Sequence, residues 1–291
     1  MHMADALLTP AVAGVMYAAS AVVAGASIVE LHKEEKQDLT SAAKKLPTMA
    51  VMSALVFAGQ MINYTIPGTG SSGHLCGGLL LTSVLGPWAG FLSMIVILTI
   101  QCLFFADGGL LALGANVWNM AFYGCFVGYF LIYRPLMRSR CFARRGERAA
   151  NRLKITLASV LGCVLTLQLG AFSVVLETTL SGITDLPFGA FCAIMQPIHL
   201  AIGLIEGLIT AAVLLFLYEA RPELLRDVRM SGETTGKVSF KGTIAVIAIA
   251  AVLVAVGQRQ PRRAGVVAVR QQRRRLHAEH GPRRGQLRRA E

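Results

Sequence analysis

Eight apolar stretches, at 9–29, 47–64, 74–86, 88–106, 114–133, 152–177, 190–218 and 242–257, constrain this 291-residue chain more than any other feature. A hydrocarbon core about 30 Å thick is crossed by about 20 apolar residues rising about 1.5 Å each. Charged residues make up only 15% of the chain and mean hydropathy is +0.57, whereas soluble domains carry about 25% charge. The expected fold class is therefore all-α, a polytopic membrane helical bundle surrounded by lipid. The third stretch is too short to cross alone. It follows a glycine-rich loop and ends at Gly86-Pro87, so it is expected as a half-buried or tilted segment supported by its neighbours.

The net charge of +12 suggests a nucleic-acid partner until its location is considered. Eight basic residues fall between Arg134 and Lys154, and eleven Arg follow Gly257. Orientation follows Lys and Arg in short loops. Lys33, Lys36, Lys44 and Lys45 in the 30–46 loop, the 134–154 cluster, and Arg221, Arg226, Arg229, Lys237 and Lys241 in 219–241 place those loops in the cytoplasm. The loops 65–73, 107–113 and 178–189 carry no Lys or Arg, and helix parity puts them, with the N-terminus, outside. No nucleic acid is expected. The first stretch has no Lys or Arg ahead of it and carries Asp5, unlike a signal peptide. It is expected to stay on the mature chain, and a bulky His2 disfavours removal of Met1.

Gly14, Ala18, Ala21 and Gly25 recur at helical spacing in the first stretch. Such small residues let helices approach closely, by default inside the bundle, otherwise against a partner protein. The six Cys form no CxxC and sit mostly in apolar runs, so they read as small buried thiols. From 258 to 291 the chain turns Arg-rich and cannot pack a core. This tail lies on the wrong side for the charge rule, which suggests a reading-frame shift in a GC-rich gene; a nucleic-acid arm is the alternative.

The chain begins Met1-His2. A free amine, the His2 backbone nitrogen and His2 Nδ1 can close a five- and a six-membered chelate, placing three nitrogens in one plane. Ionising the amide is repaid best by Ni²⁺ or Cu²⁺, which favour square-planar nitrogen fields. His74, in PGTGSSGHLCGG on the same side, can supply a fourth nitrogen, because five glycines let its loop fold inward. His199 and Glu206, seven residues apart on one helix face, are intramembrane ionisable residues and hence functional candidates. Hydrogen bonding around the metal or helix packing comes before direct ligation for both. Asn116 and Asn119, with Gln60, Gln101, Asp107 and Glu177, complete a polar set suited to holding an N-terminal segment in place. Two other readings remain: an intramembrane serine hydrolase with Ser72 as nucleophile and His199 as base, and a structural scaffold without metal.

The runs MHMADALLTPAV, PGTGSSGHLCGG, LGPWAGFLSM, ADGGLLALGANVWNMAFYG and MQPIHLAIGLIEGLITAAV together resemble the CbiM/NikM family, the substrate-binding membrane component of energy-coupling-factor cobalt and nickel transporters. The resemblance covers residues 1–225 and implies a seven-helix core. One additional C-terminal helix would follow within 226–257, similar to the start of the small accessory component fused to some nickel-type members, and then the 258–291 tail. It implies that Met1, His2 and His74 bind the metal, with His199, Asn116, Asn119 and Glu206 around them. The substrate is Ni²⁺ or Co²⁺, nickel being the closer match and cobalt uptake for cobalamin synthesis the alternative. The implied partners are a transmembrane coupling protein, two cytoplasmic ATPase subunits and a separate small accessory membrane component in a prokaryotic cell membrane. ATP is expected on those subunits, since this chain has no GxxxxGK[ST] loop.

Overall fold

A computed structural model describes residues 1–227 apart from 38, 67, 70, 140, 141 and 143–145. The expected helix at 242–257 and the Arg-rich tail lie outside the described residues. Seven helices of eight residues or more are found among the described ones: α1 Pro10–Gln37, α2 Leu39–Gln60, α3 Gly78–Leu85, α4 Pro87–Phe105, α5 Leu113–Arg138, α6 Glu147–Ser181 and α7 Phe188–Ala220. Five of them, α1, α4, α5, α6 and α7, are long and apolar enough to cross a membrane. The middle of α5, Trp118–Tyr133, is wound as a π-helix.

The structure extends several helices beyond the apolar stretches. α1 runs to Gln37 through the basic segment expected as loop, α2 begins at Leu39, ahead of the stretch at 47, and α6 adds a turn or more at each end. Apolar run length marks the part of a helix that lipid or core must cover; polar turns beyond it still close backbone hydrogen bonds. The glycine-rich loop also departs from a purely helical reading. Asn63–Thr65 (β1) and Ser72–His74 (β2) pair antiparallel, with Asn63 opposite His74.

α3 alone is too short to cross a bilayer, and the hairpin lengthens the path ahead of it. Residues 72–77 in an extended path reach at most ~20 Å at ~3.3 Å each, and the eight residues of α3 add ~12 Å, together close to a bilayer core of ~30 Å. Non-helical backbone at such depth must find partners within the protein. Glu206 of α7, 3% exposed, accepts the Cys76 N–H at 2.6 Å and the Gly77 N–H at 2.9 Å. Gln60 Nε2 donates to the Cys76 carbonyl, and Gln101 Nε2 donates to Gln60 Oε1 at 2.9 Å. The chain then enters α3 through Gly77 at φ +72°. α3 packs backbone to backbone on α5, where a Cβ on Gly124 would stand 3.0 Å from Gly78 Cα.

α7 shows the seven-residue periodicity of a helix with one buried face: His199, Ile202, Gly203, Glu206, Gly207, Thr210, Leu214 and Tyr218 all point inward. Gly203 and Gly207 lie on the α6 backbone at Val164 and Val160. In α1 the small-residue stripe does not pack inside. Gly14, Ala18, Ala21 and Gly25 are exposed, and the helix is buried instead through Ala13, Ser20 and Ser27. The close approach is made by its neighbour: a Cβ on Gly114 of α5 would meet Tyr17 N at 2.6 Å, and Ser20 Oγ donates to the Gly114 carbonyl at 2.8 Å.

Charged residues gather at the end of the bundle where α1, α3, α5 and α7 finish. Glu34 meets Lys45 at 3.0 Å and Arg226 at 2.7 Å, Arg138 meets Asp227 at 3.0 Å, and Arg148 pairs with Glu219. The hairpin, the 106–112 loop and the chain start occupy the other end, where the Thr9 N–H reaches Ser181 Oγ at 3.1 Å.

Gly77→Ala should be costly on two counts, because Cβ at φ +72° would also stand 2.6 Å from Val56 Cγ1. A loss of about 2–3 kcal/mol is expected, read as a drop in thermal midpoint of the detergent-solubilised protein. Gly68→Ala, at φ +77° but in open space, should cost about 1 kcal/mol.

Candidate metal centre

The first four residues thread into the bundle as an extended segment between the hairpin and the 106–116 segment, bridging Ser71 at Met3. The Met1 amine donates to the Ser72 carbonyl. The His2 carbonyl accepts the Ser72 N–H at 3.3 Å and Ser71 Oγ at 3.1 Å. Asn116 uses both ends of its amide on Met3, accepting the N–H at 2.8 Å and donating to the carbonyl at 3.2 Å. The Gly109 N–H donates to the same carbonyl at 2.9 Å, and Asp5 Oδ1 accepts the Ala112 N–H at 3.0 Å. Met1 and Met3 are fully buried. Gly170 of α6 makes room for the Met1 side chain, since a Cβ there would lie 2.6 Å from its Sδ.

This threading sets the two imidazoles side by side. The His2 and His74 ring centroids are 4.5 Å apart, and both rings are buried. His74 Nδ1 lies 2.7 Å from the Leu75 carbonyl, which fixes the proton on Nδ1 and leaves the Nε2 lone pair free. Nε2 is buried without a hydrogen-bond partner. His2 Nδ1 is 3.0 Å from Asp107 Oδ1, yet off hydrogen-bond alignment, and neither His2 ring nitrogen has a hydrogen-bond partner. The His2 main-chain nitrogen likewise donates no hydrogen bond among the described residues.

Burial disfavours charge on the amine and on His2. It lowers the Met1 amine to about 6 from 8.0, against opposing attraction from Cys76, Asp107 and Glu206. Burial also lowers His2, opposed by Asp107. Burial alone would raise Asp107, but His2, Asn63 and the amine hold its carboxyl below the ordinary value. Among the described residues no three His, Cys, Asp or Glu side chains assemble into a metal site; a planar nitrogen set would need the amine and a main-chain nitrogen as well.

Met1, His2 and His74 therefore come together as the sequence suggested. Asn116 holds Met3, and Asn119 Nδ2 donates to Glu177 Oε2 at 2.8 Å while lying 3.7 Å from Met3 Sδ. Glu206 clamps the strand that carries His74. His199, fully buried, lies with Nδ1 2.8 Å from the Met195 carbonyl and keeps Nε2 free. The hydrolase pairing is not formed, because Ser72 Oγ and His199 Nε2 each lack a hydrogen-bond partner. Asp107 proves closer to the centre than its place in the polar inventory implied. Asn63, which donates to Asp107 Oδ2 at 2.7 Å, was missed, since a lone Asn at a helix end carries no signal of its own.

The amine's depressed value fixes a pH dependence. The folded state binds fewer protons than the unfolded one between about pH 6 and pH 8, so docking of the N-terminal strand is at full strength above pH 8 and weakens as pH falls toward 6. Amide hydrogen exchange at Met3, corrected for its intrinsic rate, should report protection that declines across that window; constant protection would contradict a buried neutral amine.

Residues 2–224 match the family model described as the cobalt uptake substrate-specific transmembrane region, CbiM. A protein of Archaeoglobus fulgidus with the provisional name fused nickel transport protein NikMN is 39% identical over 250 residues, covering 86% of this chain and 75% of that relative. The cobalt transport protein CbiM of Sorangium cellulosum is 33% identical over 181 residues, covering 62% and 76%. A crystal structure of a transition metal transporter superposes with a TM-score of 0.63 at 32% identity over 76% of this chain and 93% of that one. The chain is thus a multi-pass membrane protein and belongs to the CbiM family of cobalt and nickel uptake components.

Proposed function

We propose that this protein captures Ni²⁺ through four nitrogens, the Met1 amine, the His2 backbone nitrogen, His2 Nδ1 and His74 Nε2, and carries it across the membrane. The observation that supports this most is the burial of the chain's own amine at the Ser72 carbonyl, two residues from His74, with the two imidazoles 4.5 Å apart. Nothing in helix packing requires a terminus to be drawn that deep. Metal capture turns Nδ1 of His2 away from Asp107 to close the six-membered chelate, and the His2 amide gives up its proton. Nickel is preferred to cobalt on the match with the Archaeoglobus fulgidus relative; low-spin Co²⁺ also accepts a planar nitrogen field, so the donor set alone favours neither. Selectivity against Cu²⁺ rests on imposed geometry, because Cu²⁺ binds such donors more tightly.

The centre lies on the extracytoplasmic side in this reading, because the Lys and Arg residues gather at the opposite end of the bundle and basic loops stay in the cytoplasm. Inward release is driven by a transmembrane coupling protein and two ATPase subunits on that basic side, as in an energy-coupling-factor transporter. Asn119, Asn116, Glu206 and His199 hold the strand, the loop and the interior around the metal.

One residue added ahead of Met1 should abolish Ni²⁺ binding by the purified protein, because the amine leaves the chelate, while circular dichroism still reads a folded helical bundle. Undiminished stoichiometric Ni²⁺ in that variant would contradict the scheme. His74→Ala should weaken affinity by about a hundredfold or more, at or beyond the upper range for disturbing a ligand's neighbour. Calorimetry in buffers of different ionisation enthalpy should find about one proton released on binding near pH 8, from the His2 amide; none released would exclude amide ligation.

A further inference from the structure

We infer that a cavity between the hairpin tip and the 106–109 loop is the port by which a hydrated divalent cation reaches the centre, with Asp107 as the ligand that first receives it. The inference rests on the metal-capture reading above and adds a route and a residue to it. The cavity, of about 200 Å³, is lined by His2, Asp5, Ser72 and Asp107 among others, and none of its lining residues is Lys or Arg. Its floor is the His2 imidazole, 3% exposed, with both ring nitrogens lacking a hydrogen-bond partner. On the facing wall the buried Ser72 Oγ is also without one.

Asp107 is built to face this opening. Its Oδ2 is anchored by Asn63 at 2.7 Å, which leaves Oδ1 turned to His2 Nδ1 at 3.0 Å. The side chain is 13% exposed, against 3% for His2, so of the two it is the one more open to solvent. The exposed Asp5 adds negative charge at the rim, although its Oδ1 is held by the Ala112 N–H at 3.0 Å. Carboxylates in a narrow mouth raise the local concentration of cations and their association rate. A single carboxylate oxygen suits a hydrated ion and holds it weakly. The ion exchanges one water for Asp107 Oδ1, then further waters for His2 and the remaining nitrogens, so Asp107 acts in transit and is absent from the final ligand set.

Stopped-flow absorbance of Ni²⁺ uptake by the detergent-purified full chain tests this. Asp107→Asn should slow association about tenfold and flatten its dependence on ionic strength, with dissociation slowed as well, so that Kd moves less than either rate. Asp107→Glu should keep most of the association rate, and Asp5→Asn should lose less than Asp107→Asn. An unchanged association rate in Asp107→Asn overturns the proposal. So does an effect confined to faster dissociation, which would make Asp107 only an orienting neighbour of His2, or an equal slowing by Asp5→Asn, which would leave only bulk charge. Absence of Ni²⁺ uptake by the unsubstituted chain would instead defeat the metal-capture reading itself, whereas normal uptake with an unaffected Asp107→Asn defeats the port alone.

Discussion

A chain terminus can be buried among helices only if every main-chain donor and acceptor it brings is met there, since an unpaired one costs about as much as a lost hydrogen bond. In this protein most of the pairing comes from borrowing strand chemistry inside a helical bundle. Met1 and the His2 carbonyl pair with the 71–72 segment, while Met3 is read on both sides by the Asn116 amide. The His2 nitrogen is left out of this pairing among the described residues. Pairing the His2 carbonyl and both main-chain groups of Met3, while the His2 nitrogen donates to none of the described residues, is what the proposed chemistry needs.

The same logic shapes the hairpin and α3. A non-helical stretch deep in the bundle holds its backbone through Glu206, Gln60 and Gln101, so the polar side chains of α2, α4 and α7 serve the main chain first. Glu206 couples α7 to the strand that bears His74.

Much of this was legible in the sequence, for identifiable reasons. Run length and charge placement give the bundle and its basic end, because burial and orientation act on every residue alike. Met1, His2 and His74 could be joined because chelate geometry and loop glycines permit it and the runs that carry them resemble the CbiM/NikM family. The hairpin escaped notice, since three-residue strands rich in Gly and Ser lack alternation. Helix ends at Gln37 and Glu147 extend into polar sequence where no apolar signal marks them. The α1 stripe misled for a physical reason: Gly114 on α5 makes the close approach, so α1 turns Ala13, Ser20 and Ser27 inward, and its own glycines face out. Asp107 was visible as one polar residue of several, but its place beside His2 depends on Asn63 and on a loop turn that spacing does not encode.

In the proposed centre, main-chain nitrogens take part in holding the transported ion. X-ray absorption of the Ni²⁺-loaded protein addresses it directly, because planar four-coordinate nickel has a distinct edge feature and its nearest scatterers can be counted. Four nitrogen neighbours in a planar field are expected; a six-coordinate oxygen-rich shell, or a sulfur neighbour from Cys76 or a methionine, would contradict the account.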